Sequence, residues 1–450
     1  RDIFFYKSRL GVLAGESVVL SEVDNAFNFW RTSVVNLLDS DRIDITSSVN
    51  EITYLNWAIP FSNQLVIFSD RAQFLLTQGN QGLTPSTAAL SLGSSYENST
   101  LCRPVVNDNS VIFAQEKSGA SAVYEMYPTG STEISFEAKS ISEHIPSYIS
   151  GKITKISASS LASTVVVQTD TGDNTLYMYK YYNQGNQRVQ SAWSKYELAC
   201  NYIKGGHFIS DKFHIIEGHH DDSSTVVSDC HWILTYMKFD NTDSLTNSID
   251  LYFNVPSSDV ANSSSDTTLA MEWDIRDNSA RKAKIVAFNK SDNTSYTVAD
   301  SGANNVVTLT GVNLAGNANI VVGLKFEASY EFSKQYIKRG GRDGKEVAVT
   351  DGRTTTKWYE VYFNDTQFIK STVSFPAYAN RTSSVKEYTG SFAGGAVTGD
   401  QPSETSTLRT SVAARSDLPT ITLSSETHQT VTITGAAFEL MHTSRLSRTN

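Results

Sequence analysis

The sequence predicts an all-β protein: a β-propeller-like N-terminal region followed by antiparallel β-sandwich-type domains. Three observations carry this prediction. Apolar runs of about 4–8 residues alternate with short polar turns along most of the chain, which is the signature of strands joined by tight reversals. Tyr and Phe number 21 each while charged residues make up only 19%, a mixture that suits pleated, half-buried surfaces. Helical spacing recurs in one place only, residues 26–38, where Phe27, Trp30, Val34 and Leu38 fall on one face of a short helix.

Residues 1–240 repeat one theme, an apolar run, a polar turn and a second apolar run. Ile3 to Tyr6 turns at Lys7-Ser8-Arg9 into Leu10 to Leu13, and Gly15-Glu16 leads into Val18-Val19-Leu20. Leu65-Val66-Ile67-Phe68 turns at Ser69-Asp70-Arg71 into Gln73-Phe74-Leu75-Leu76. Val111-Ile112-Phe113 turns through Lys117-Ser118-Gly119 into Val123 to Tyr127. Val165-Val166-Val167 turns at Asp170-Thr171-Gly172-Asp173-Asn174 into Leu176 to Tyr182. Phe208-Ile209 turns at Ser210-Asp211-Lys212 into Phe213 to Ile216, followed by Trp232 to Phe239. Gly, Asp, Asn and Ser at the reversals supply the backbone conformations that hairpins need. The units recur roughly every 40–50 residues, the length of a four-stranded propeller blade.

A polar break at Asp240-Asn241-Thr242-Asp243-Ser244 opens a second region, 245–338, which reads as an antiparallel sandwich. It starts with the alternating strand Ile249 to Phe253, ends with Ile320 to Phe326 and Tyr330 to Phe332, and carries a solvated loop at 262–266. The charged, Gly-rich stretch 339–345 is a second break. Residues 346–450 form a C-terminal β domain with strands at 358–363, 420–423 and 431–434 and a long Ser/Thr/Gly-rich loop at 390–415.

The 450 residues carry a net charge of −10. That balance argues against a sequence-reading nucleic-acid binder, which needs a basic stripe. It is compatible with a wall that DNA slides past, since an acidic surface gains nothing from counterion release. Cys102, Cys200 and Cys230 are odd in number and widely spaced, so they read as buried free thiols. No apolar run reaches the ~18 residues of a membrane span. The first residues, Arg1-Asp2-Ile3-Phe4-Phe5-Tyr6, lack an initiator Met and a signal pattern and read as an immediate strand, as if the chain began inside a longer product.

Candidate chemistry is sparse. His207, His214, His219, His220 and His231 lie close together beside Asp221, Asp222, Asp229 and Cys230, but metal-ligand spacing is missing and they read as hairpin histidines. Thr169 to Asp173 echoes the Asp-box turn of sialidases once only and reads as a polar reversal. Tyr177, Tyr179 and Tyr181 share one face of a strand, which serves packing between blades more often than stacking on a ligand. No phosphate-cradling loop, nucleophile elbow or dinucleotide fingerprint is present. The sequence therefore assigns no catalytic, cofactor-binding or metal residue and no cofactor, and it does not show which residues form interfaces or face a lumen.

The stretch Asp2-Ile3-Phe4-Phe5-Tyr6-Lys7-Ser8-Arg9-Leu10-Gly11-Val12-Leu13-Ala14-Gly15-Glu16 resembles the tail tubular protein B (tail nozzle) family of short-tailed bacteriophages. The likeness continues through Phe27-Asn28-Phe29-Trp30, Asp41-Arg42-Ile43-Asp44-Ile45, Ala58-Ile59-Pro60-Phe61-Ser62 and Ser69-Asp70-Arg71-Ala72-Gln73-Phe74. Shorter islands follow at His144 to Ile149, Tyr330 to Lys334 and Arg445 to Arg448. The resemblance implies a structural virion protein of the distal tail: a homohexameric ring below an adaptor (tail tubular protein A type) ring, helping to dock tail fibres and conducting DNA through its lumen without reading its sequence. It also implies a substantial segment upstream of Arg1, leaving the propeller-like region incomplete. A channel of this kind expects a lining that is acidic or neutral. The competing reading is a phage tail propeller that binds or cleaves surface glycan, which requires convergent carboxylates in a pocket.

Overall fold

The computed structural model describes residues 1–47, 52–78, 82–129, 135–185, 187–220, 227, 230–239, 249–263, 266–270, 283–291, 294–296, 298–299, 306–314, 319–340, 346–349, 352–378, 381–389, 404–427 and 430–444. The protein is all-β, built from antiparallel sheets, and no α-helix occurs among the described residues. The chain divides into two compact units, Arg1–His220 with Val226–Phe239, and Asp221–Thr225 with Asp240–Asn450.

The first unit is five successive meanders. Sheet one joins Ile3–Tyr6, Arg9–Ala14, Ser17–Leu20 and Ile43–Thr46, and sheet two joins Leu55–Phe61, Gln64–Ser69, Gln73–Thr77 and Ala89–Ser94. Sheet three joins Val105–Asn107, Ser110–Lys117, Ala120–Thr129 and Ser135–Ser140. Sheet four joins Ile153–Ser159, Thr164–Thr169, Thr175–Gln184 and Gln187–Glu197, and sheet five joins Tyr202–Ile209, Lys212–His219 and His231–Lys238. Two reversals show why the local sequence folds this way. Tyr6 pairs with Arg9 and Phe61 with Gln64, so each loop has two residues. Lys7 and Ser8 have φ of 47° and 58°, and Ser62 and Asn63 have 49° and 63°. Two positive φ values are what a reversal matched to the strand twist requires.

Each sheet packs on the next through its own core. Phe4, Leu20 and Ile43 of sheet one meet Leu65, Ile67 and Phe74 of sheet two. The opposite face of sheet two, Phe61, Val66 and Phe68, meets Val111, Phe113 and Met126 of sheet three. Ile112, Ala114 and Val123 then meet Val165, Val167 and Tyr177 of sheet four. Val166, Leu176 and Met178 meet Phe208, Phe213 and Ile215 of sheet five. This explains the unbroken apolar runs Leu65 to Phe68, Val111 to Ala114 and Val165 to Val167: a strand covered on both faces has no polar side to alternate with. Among the described residues no sheet closes on itself.

In the second unit, one sheet orders Ile249–Val255, Ile320–Lys325, Ile285–Asn289 and Ser295–Tyr296, and another orders Val260–Ser263, Asp266–Ala270, Val306–Leu309 and Val298–Ala299. They share a core that includes Val255, Leu269, Ala287, Leu309, Ile320 and Val322. Of the loop expected at 262–266, Asn262, Ser263 and Asp266 instead belong to the paired strands of a hairpin, with Asn262 opposite Thr267 and Ser263 opposite Asp266, and 264–265 lie outside the described residues.

The C-terminal part pairs Ala328–Glu331 with Thr420–Ser425, Phe368–Ser374 and Ser384–Thr389 in one sheet, and Glu404–Arg415, Arg353–Thr366 and Thr432–Thr443 in another. Tyr359, Val361, Phe363, Ile369, Leu408 and Leu423 are among the residues of their common core. Of the loop expected at 390–415, residues 404–415 are a strand and 390–403 lie outside the described residues. The strand was hidden because Leu408, Thr410, Val412 and Ala414 are the buried set, and a Thr in that alternation reads as polar although it fits a pleated surface. The break at 339–345 retains Arg339 and Gly340 in a two-stranded hairpin, Lys338–Gly340 with Glu346–Ala348, and 341–345 lie outside the described residues.

Candidate contact surface and sheet junctions

Residues 26–38 are not helical. They belong to a loop between Ser17–Leu20 and Ile43–Thr46 that is held by the side chains of Arg9, Asp41 and Glu22. Arg9 is fully buried, and its guanidinium donates to the carbonyls of Ser21 (2.7 Å), Asp41 (2.7 Å), Asp39 (2.9 Å) and Ser40 (3.3 Å). The Asp41 carboxylate accepts the backbone N–H of Leu38 at 2.9 Å and of Thr32 at 3.0 Å. Those bonds hold the Asp41 carboxyl below its usual range. Asn28 Nδ2 donates to Glu22 at 2.7 Å. With backbone groups satisfied this way, the loop needs no apolar core of its own. Its large side chains point outward: Phe27 is 90% exposed, Trp30 80%, Val34 101% and Val35 90%.

The junctions between sheets carry polar locks. Asp2 is buried, accepts Ala58 N–H of sheet two at 2.9 Å and pairs with Arg103 at 2.6 Å. Between sheets three and four, Arg188 forks onto buried Glu125, with Nη2 to Oε1 at 3.0 Å and Nη1 on Oε2. Ser110 Oγ donates to the same Oε1 at 2.9 Å, and the guanidinium lies 4.7 Å from the centre of the Tyr181 ring. Burial pushes Glu125 upward, but bonds from Arg188, Tyr127 and Ser110 outweigh it and leave the carboxyl below its ordinary value. Burial raises the Tyr127 hydroxyl, and Glu125 raises it further. Tyr181 O–H and the Asn107 amide face each other, with Asn107 Nδ2 donating at 2.9 Å.

The residues singled out in the sequence fall into this scheme. Tyr177, Tyr179 and Tyr181 are buried in the core between sheets three and four. In the turn after Thr164–Thr169, Asp170 Oδ1 accepts Lys152 N–H at 2.7 Å and Thr171 Oγ1 donates to Ser150 C=O at 2.9 Å. Its polar groups are thus spent tying two segments together. His207 lies opposite His214 and His219 opposite His231 in sheet five. His219 Nε2 sits 3.3 Å from Glu217 Oε2, and Thr235 Oγ1 donates to Glu217 at 2.6 Å. Among the described residues no three His, Cys, Asp or Glu side chains gather as metal donors, while Asp221, Asp222 and Asp229 lie outside the described residues. The three cysteines are free thiols, Cys102 and Cys200 buried and Cys230 half-buried, and burial pushes Cys102 up to about 12. No helix among the described residues is long and apolar enough to cross a membrane.

Sequence reasoning missed Arg9. It sits in an alternating apolar strand, and nothing in the sequence distinguishes a surface Arg from one that fastens a distant loop.

The tail tubular protein gp12 of Escherichia phage T7 is 32% identical over 215 residues, which cover 46% of this chain and 27% of the T7 protein. The match thus spans little more than a quarter of that relative's length. Among solved structures, the N-terminal domain of Nup159 overlaps 72% of this chain and 89% of its own, with 11% identity and a TM-score of 0.30. An exo-β-1,3-galactanase from Phanerochaete chrysosporium overlaps 97% and 95% with 10% identity and a TM-score of 0.22. Scores that low support no argument about shape or activity. The family model described as bacteriophage nozzle protein matches residues 1–449, nearly every residue of the sequence, and the chain belongs to that family.

Proposed function

We propose that this chain is a structural subunit of the distal phage tail, one copy in a ring that conducts DNA outward and helps to dock the tail fibres. Family membership over residues 1–449 carries the reading and sets the place, the virion tail, and the company, other tail proteins. The ring is a homohexamer beneath an adaptor ring, and DNA passes through without sequence recognition along a lining that is acidic or neutral. A continuous Lys/Arg lining in a map of the assembled channel would refute that last point.

The five meanders are read as blades of a propeller-like arc. Their successive order and the separate core at each junction support this. Residues 245–338 and 346–450 are read as two further β domains, with Ala328–Glu331 of the former adding a strand to a sheet of the latter. The wall is read as catalytically idle. Two of its buried carboxylates, Glu125 and Asp2, are engaged in joints between sheets. Stiffness is what a pressurised conduit requires. The test is labelling of this protein in intact particles and low-resolution imaging. Label encircling the tail tip is expected, and label confined to the capsid or to fibre ends would overturn the assignment.

A further inference from the structure

We infer that the loop 26–38 is the surface by which one copy of this chain grips a second copy; the inference rests on the ring proposed above and names its contact. Three observations carry it. The loop is preorganised: fully buried Arg9 holds the carbonyls of residues 21, 39, 40 and 41, and Asp41 holds the N–H groups of Thr32 and Leu38. A surface already fixed in shape avoids the ordering entropy that weakens flexible contacts.

The exposed apolar area is of the right size. Phe27, Trp30, Val34, Val35, Leu37 and Leu38 all stand exposed within twelve consecutive positions. Together they offer roughly 700–800 Å² of side chain, against the ~800 Å² per partner that a stable interface buries.

The chemistry favours a protein partner of the homomeric kind. Residues 26–38 include a single charged side chain, Arg31. Homomeric interfaces have the most apolar cores, with Trp and Phe enriched and charge depleted. A membrane-seeking segment would carry a Lys/Arg-rich polar face, and this loop has none. A ring requires each copy to present two different faces. The loop is one of them, an anchor that enters its neighbour.

The test places a photo-crosslinking residue at Val34 in protein assembled into phage tails, with two isotopically distinct pools of the chain. Crosslinked peptides that join the two pools are expected. Crosslinks to a different tail protein, to lipid, or no crosslinks would overturn the inference. In parallel, Trp30→Ser with Val34→Ser should weaken self-association of the purified protein by about 30-fold or more, the scale of an interface hot spot. Both side chains are exposed, so the thermal transition should not move. If the wild type forms rings and the double variant forms them equally well, the loop assignment falls and the ring stands. If copies never contact one another in particles or in solution, both fall.

Discussion

Replacing Arg188 with Ala should destabilise the first unit more than any exposed substitution. Glu125 is only 3% exposed, and its carboxylate is paired with the Arg188 guanidinium at 3.0 Å across the junction of sheets three and four. The substitution leaves that carboxylate in the interior with Ser110 Oγ at 2.9 Å as its remaining close donor apart from the Tyr127 hydroxyl. Orphaning one member of a buried pair costs about 3–5 kcal/mol. The guanidinium's position over Tyr181 adds ~1 kcal/mol at most. For a unit of this size each kcal/mol moves the melting temperature by about 2–4 °C, so the first transition in calorimetry at pH 7 should fall by roughly 10 °C. Removing both charges, as in Glu125→Leu with Arg188→Met, should return most of the loss, to within about 2 kcal/mol of wild type. A single variant that loses less than about 1 kcal/mol would show that the pair is solvated in solution and would refute the reasoning.

Three further outcomes follow from the same structure. Because Glu125 is held below the ordinary range of a carboxyl group, its contribution is fully present above that range and is lost as pH falls through the lowered folded value. The gap in melting temperature between wild type and Arg188→Ala should therefore close on acidification. Arg9→Met should cost about 3 kcal/mol through its lost charge-assisted bonds, and hydrogen exchange should quicken across 21–41 while sheets two to five keep their protection. Gly11→Ala should cost about 1–3 kcal/mol by overpacking, since a Cβ there would run into the Phe4 ring; an unchanged denaturation midpoint would contradict it.

Much of the first unit was legible because its turns and its core obey local rules. Lys7-Ser8 sits where a two-residue reversal occurs, and runs such as Val165-Val166-Val167 announce strands buried on both sides. The same rules failed at Phe27, Trp30, Val34 and Leu38. Helical spacing predicts a helix when its apolar face has something to lie against, and here those side chains face solvent. The stabilising contacts instead run from Arg9, a dozen or more residues away, to backbone carbonyls that carry no side-chain signature. Glu125 and Arg188 are 63 positions apart, so their pairing depends on how two meanders stack. Such joints are tertiary products, invisible to periodicity.

The proposed function is that this chain builds a tail conduit. The most direct measurement is electron microscopy and genome delivery of phage particles assembled without this polypeptide. Truncated tails and DNA retained in the capsid are the expected result. Complete tails that still deliver genomes would contradict the account.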